Sequence, residues 1–230
     1  MTWPRPCVLC GQWDSQGLCR PCRLSFAAQR SASCPRCALH TPGMASAECG
    51  RCQHTPPPFQ RCIAAVDYGF PWDRLVARFK FQQQAELAGL LAGVLQDAVQ
   101  RAQAAPVDAV LPVPLSDLRL VERGYNQAWE LARRLAAQQG LPAQADWLLR
   151  LRDTPHQVGL RRQDRERNLR DALWVPPGAA AALAGRHLAL VDDVMTTGST
   201  ATAATQALLA AGAASVQVWV LARTPEPSAG

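Results

Sequence analysis

The segment from His187 to Thr200 gathers the residue types needed to hold a phosphorylated sugar. An apolar run, Leu188 to Val191, ends in Asp192 and Asp193. Thr196, Thr197, Gly198, Ser199 and Thr200 follow, and then an alanine-rich stretch. That order predicts a strand, an anion-holding turn and a helix start. Backbone N–H groups in the first turn of a helix have no internal partner and carry partial positive charge, so they favour a phosphate. The hydroxyls add donors, and Gly198 lets the backbone approach closely. The adjacent carboxylates suit ribose hydroxyls or a Mg²⁺ ion. A plain helix cap accounts for Ser199 or Thr200 alone, but not for the whole run.

A second set of residues could hold anions. Arg119 and Arg123 lie one helical turn apart, just after Val113-Pro114-Leu115-Ser116, so both can face one ligand. Residues 153–170 form a polar, irregular stretch with five arginines, among them Arg161 and Arg165. A loop of that length in a compact domain is functional or disordered. It reads as a cover over the site, as a groove for a nucleic-acid strand, or as a plain surface loop.

The third set is metallic. Four Cys-x-x-Cys knuckles occur: Cys7/Cys10, Cys19/Cys22, Cys34/Cys37 and Cys49/Cys52. Two intervening residues let both thiolates face one tetrahedral Zn²⁺, and two knuckles complete a closed, structural Cys₄ site. Two zinc ions are therefore expected. Sequential pairing, Cys7 to Cys22 and Cys34 to Cys52, is favoured by the spacers; interleaved pairing stays open. A segment this poor in apolar residues needs metal to fold. The ninth cysteine, Cys62, reads as a core residue of a strand.

The elements that position these groups follow from periodicity. The chain has 230 residues, 48% of them hydrophobic, which is enough for one good core and a small appendage. The net charge of +6 favours anionic partners. Lys80 is the one lysine among 24 basic residues. The N-terminus lacks the apolar core of a signal peptide, and no apolar run reaches the ~18 residues of a spanning helix. A reducing cytoplasm and no membrane insertion are expected, with thiols binding metal rather than forming disulfides. Thr55-Pro56-Pro57-Pro58 is a stiff boundary, dividing residues 1–57 from an α/β domain over 58–230. Strands are expected at 62–68, 107–113, 147–151, 173–175, 188–191 and 215–221. Helices are expected at 72–81, 85–103, 126–139 and 199–211, and an alanine-rich connector after Pro176. Asn126 reads as a cap, Gln127 as exposed and Tyr125 as core or site. Alternating strands and helices imply a doubly wound, mainly parallel sheet, with ligands beyond the C-terminal strand ends.

The acidic doublet and hydroxyl loop resemble the signature of type I phosphoribosyltransferases, which bind phosphoribosyl pyrophosphate (PRPP) with Mg²⁺. Val113-Pro114-Leu115, Arg119, Glu122 to Gln127, the stretch Gln157 to Asn168 and the four knuckles are similar to the ComF branch, also called GntX-like. That resemblance implies a phosphoribosyltransferase-like domain behind a double zinc ribbon. Asp192 and Asp193 would contact the ribose and help hold Mg²⁺ through its water shell, as the catalytic pair. Thr196, Thr197, Gly198, Ser199 and Thr200 would cradle the 5′-phosphate. Pro114, Leu115, Arg119 and Arg123 would serve the pyrophosphate. Lys80 matches a family lysine, which leaves a phosphate contact and a plain surface position equally open. Gln157, Arg161, Arg165 and Asn168 would belong to a mobile hood. The family context is DNA uptake and utilisation (competence), with DNA-processing proteins as partners. Two alternatives stay open: an accessory protein binding single-stranded DNA, and a PRPP-sensing regulator without turnover.

Overall fold

The structure, a computed structural model, describes residues 3–27, 30, 32–41, 47–151 and 172–225. The hood residues Gln157, Arg161, Arg165 and Asn168 lie outside the described residues.

In chain order the elements are β1 (Arg5–Pro6), β2 (Trp13–Asp14), α1 (Arg20–Phe26), α2 (Gly50–His54), β3 (Arg61–Asp67), α3 (Trp72–Phe81), α4 (Leu87–Arg101), β4 (Ala109–Pro112), α5 (Asp117–Arg123), α6 (Gln127–Gln139), β5 (Leu149–Arg150), β6 (Leu173–Trp174), α7 (Pro177–Leu183), β7 (His187–Met195), α8 (Ser199–Ala210) and β8 (Ser215–Arg223). The main sheet has the order β3-β8-β7-β4, and all its pairings are parallel. Helices α4 and α6 pack on one face and α8 on the other, so the doubly wound expectation holds. The central strand β8 is buried at all nine positions. A parallel sheet covered on both faces requires such a continuous apolar run.

Local chemistry sets the element ends. Asn126 accepts from the N–H groups of Ala128 (2.9 Å) and Trp129 (3.2 Å), which caps α6 as expected. Gly140 closes that helix at φ +68°, in the left-handed region glycine tolerates best. Glu130 pairs with Arg133 and with Arg134, one turn further on.

Some expectations need correction. β7 runs on to Met195 rather than stopping at Val191, because Val194 and Met195 continue its pairing with β8. The acidic doublet therefore sits inside the strand's last turns. The alanine-rich connector contains a helix, α7, started by Pro177 at its first turn. Gln127 is buried, not exposed.

The N-terminal segment is built around its cysteines. Cys7, Leu18, Cys19 and Cys22 pack into the same apolar cluster as α3 and α4. Trp72 Nε1 donates to the Phe26 carbonyl at 2.7 Å, Arg23 pairs with Asp97, and Arg30 donates to Asp67. Cys34, Cys49 and Cys52 form a small core of their own with Leu39. Cys62 is buried in β3, as read from the sequence.

Candidate functional site

The cleft lies where β4 and β7 end, and it collects residues far apart in the chain. Lys80, Val113, Pro114, Leu115, Arg119, Arg123, Asp192, Asp193 and Thr200 all line it. The acidic doublet, the two arginines, the Val113–Leu115 turn and Thr200, singled out separately in the sequence, thus border one space. Thr196, Thr197 and Gly198 connect β7 to α8, which starts at Ser199, one residue before the cleft-lining Thr200.

Asp193 is 6% exposed and takes Lys80 as its partner, Nζ to Oδ1 at 2.9 Å. Lys80 is therefore a shielded cleft lysine rather than a plain surface one. Asp192 accepts the Asp193 N–H at 2.8 Å. Burial, reinforced by the Asp193 carboxylate and opposed by Lys80, pushes Asp192 up to about 7. Two adjacent carboxylates in a closed setting repel each other, and one of them readily keeps its proton.

The hydroxyl loop turns sharply into α8. Gly198 occupies the cap position of α8 at φ +82°, with no side chain capping the helix. The Thr197 and Ser199 hydroxyls lie 2.9 Å apart, and Thr197 Oγ1 accepts weakly from the Ser199 N–H at 3.4 Å. No acceptor among the described residues takes the N–H of Thr196, Thr197 or Gly198. Such N–H groups are open to water or to an anion.

The opposite wall carries the arginines. α5 leads out of the Val113–Ser116 turn and places Arg119 and Arg123 on the cleft. Arg123 stacks over Phe81, 5.4 Å from the ring centre, and donates to Gln127 Oε1 at 3.0 Å. Its Nε is buried with no acceptor. Asn126 Nδ2 donates to the Val113 carbonyl at 3.1 Å, tying the turn to the start of α6. Tyr125 donates its hydroxyl to the Phe79 carbonyl, which fixes the helix that carries Lys80.

Sequence reading missed Arg150, which also lines the cleft from β5. Its neighbours gave no signal; only the pairing of β5 with β6 brings it there. It also missed Arg51 and Arg223, which bond the backbone of the hydroxyl loop without lining the cleft. Arg51 donates to the Thr197 carbonyl at 3.1 Å. Arg223 donates to the carbonyls of Met195 and Cys37, each at 3.1 Å, and to that of Thr196.

The cysteines group sequentially: Cys7, Cys10, Cys19 and Cys22 in one set, Cys34, Cys37, Cys49 and Cys52 in the other, with the sulfurs of each set within 4.8 Å of one another. Cys10 and Cys19 sulfurs are 3.6 Å apart, and Cys37 and Cys49 sulfurs 3.7 Å. Thiolates around one tetrahedral zinc at ~2.3 Å stand about 3.8 Å apart, so both sets fit that ion. Backbone N–H groups of Cys19 and Cys49 donate to Cys7 and Cys34 sulfurs, a contact that favours thiolates.

No described helix is long and apolar enough to cross a membrane. The family model of the phosphoribosyl transferase domain matches residues 87–229. DNA utilization protein YhgH of Salmonella typhi is 39% identical over 173 residues, covering 74% of each chain. Competence protein F of Haemophilus influenzae is 36% identical over 171 residues, 73% of this chain and 74% of that one. Among solved structures, the glutamine phosphoribosylpyrophosphate amidotransferase from B. subtilis is 21% identical with a TM-score of 0.40, over 60% of this chain and 26% of that one.

Proposed function

The chain belongs to the phosphoribosyl transferase domain family, in the ComF group with DNA utilization protein YhgH and competence protein F, and from that membership we propose that its cleft binds PRPP with Mg²⁺ in the service of DNA utilisation. The observation that carries the reading is the meeting of an acidic doublet, two arginines and Thr200, the last residue of the hydroxyl loop, around one cleft.

Each wall has its part. The Thr196–Thr200 loop takes the 5′-phosphate through backbone N–H groups and hydroxyls. Asp192 and Asp193 meet the ribose hydroxyls and the water shell of Mg²⁺ that arrives with the ligand. Arg119 and Arg123 take the diphosphate, whose charge Mg²⁺ neutralises. Should pyrophosphate leave, positive charge grows on the ribosyl carbon, and the two carboxylates stabilise it. Binding is the claim; transfer is a separate step, read by pyrophosphate release. Zinc in the two Cys₄ sets holds the N-terminal segment together, and none of its ligands faces the cleft.

The test is titration calorimetry with PRPP and Mg²⁺ on wild type and on Arg119→Ala/Arg123→Ala. Losing two charge-assisted contacts should weaken binding by about a hundred-fold. Unaltered affinity in the double variant would remove the diphosphate assignment.

A second reading, direct binding of single-stranded DNA, is favoured by Trp3 and Trp13. They are 90% and 70% exposed on the N-terminal segment, Trp3 two residues from Arg5 and Trp13 paired with Pro6 next to it. Exposed aromatics among cations suit base stacking. Salt-dependent oligonucleotide binding that falls in Trp3→Ala/Trp13→Ala supports it; salt-insensitive binding counts against it.

A further inference from the structure

The hydroxyl loop is held by its back. Met195, Thr196 and Thr197 offer their carbonyls to two guanidinium groups, neither of which lines the cleft. Arg223, 4% exposed at the end of β8, receives the first two. Arg51, in the short helix between Cys49 and Cys52, receives the third at 3.1 Å. The Thr224 N–H adds a further bond to Met195 at 3.0 Å.

Peptide planarity turns these contacts into a statement about the front. In a trans peptide the carbonyl of one residue is antiparallel to the N–H of the next. Fixing the carbonyls of residues 195, 196 and 197 therefore aims the N–H groups of Thr196, Thr197 and Gly198 the other way. These are the three N–H groups that lack an acceptor. Two positive charges behind the carbonyls also polarise the peptides and strengthen the exposed donors.

We propose that Arg51 and Arg223 are positioning residues for the 5′-phosphate loop, acting through its backbone without touching the ligand. The idea rests on the PRPP reading and adds to it. Sequence alone hides such a role, since Arg51 belongs to the cysteine-rich segment and Arg223 to the far end of the last strand. Arg223 also donates to the Cys37 carbonyl at 3.1 Å, so the second Cys₄ set and the loop share one anchor.

The experiment separates the two ends of the ligand. Ribose 5-phosphate probes the hydroxyl loop, and pyrophosphate with Mg²⁺ probes the arginine wall. Calorimetry is run on the full chain for wild type, Arg51→Ala and Arg223→Lys. Arg51→Ala, a surface change, should weaken ribose 5-phosphate by about five-fold, and Arg223→Lys by about twenty-fold. Pyrophosphate affinity should stay within about two-fold in both, because its contacts do not run through the loop. Unchanged ribose 5-phosphate affinity in both variants overturns the proposal, as does a parallel loss of both ligands, the mark of general loosening. Wild type that takes up neither probe refutes the PRPP reading itself, a separate result.

Discussion

Lys80 Nζ stands 2.9 Å from Asp193 Oδ1, joining a helix on the cysteine-rich side of the molecule to the acidic strand of the cleft. Both side chains are largely shielded, at 17% and 8% exposure. Removing the cation leaves a buried carboxylate without a partner. Lys80→Met should cost about 2 kcal/mol of stability, and Lys80→Met/Asp193→Asn less than that single change. Denaturant unfolding checks this; a double variant weaker than the Lys80 variant would contradict it.

Asp192 gives a pH signature. Its carboxyl is raised in the folded chain to about 7 from an ordinary 3.8, chiefly by burial. Between those values the folded chain holds a proton that the unfolded chain has released. Stability is therefore complete below the lower value and is lost as pH rises through the upper one. Asp192→Asn removes that loss while keeping the acceptor for the Asp193 N–H. Without Mg²⁺ and ligand, the variant should melt above wild type at pH 8, and the gap should close toward pH 4. Equal melting at pH 8 would contradict the assignment.

Gly198 offers a backbone test. A Cβ there would meet only the Met195 side chain, Sδ at 3.5 Å and Cγ at 3.9 Å, both ordinary contacts. The penalty for Gly198→Ala is therefore conformational, arising from φ +82°, and should be about 1 kcal/mol in thermal or chemical unfolding. Ribose 5-phosphate affinity should fall with it. A variant as stable as wild type would show that the loop does not need the left-handed turn.

Metal removal should distinguish the two cysteine sets. Chelation should release two zinc ions per chain. Cys7→Ser should lower the melting temperature more than Cys34→Ser, because Cys7 lies in the large core shared with α3 and α4, while Cys34 lies in a small separate one. The reverse order in thermal melts would contradict this packing argument.

Much of the fold and of the cleft lining is legible in the sequence. The acidic doublet, the hydroxyl run and the knuckles stand out by type and spacing, because phosphate turns and tetrahedral thiolate sites are local constructions. The arginine pair was legible because one helical turn separates Arg119 from Arg123. What stayed hidden is long-range. Nothing near Lys80 predicts Asp193, more than a hundred residues away. Arg150 enters through a short strand pairing, and Arg51 and Arg223 through the packing of the second Cys₄ set against β8. The extension of β7 past the doublet was hidden because two carboxylates interrupt the apolar run, yet strand pairing carries through them. Gln127 was misjudged because its burial comes from Arg123 and the Tyr125 carbonyl, which supply polar partners inside the site.

The central claim is that the doublet and the loop behind it grip one sugar phosphate ligand. Titration calorimetry with PRPP and Mg²⁺ on wild type and on Asp193→Asn tests it most directly. Wild type should bind, and the variant should bind at least about ten-fold more weakly. Equal affinities, or no heat from wild type at all, would contradict the account.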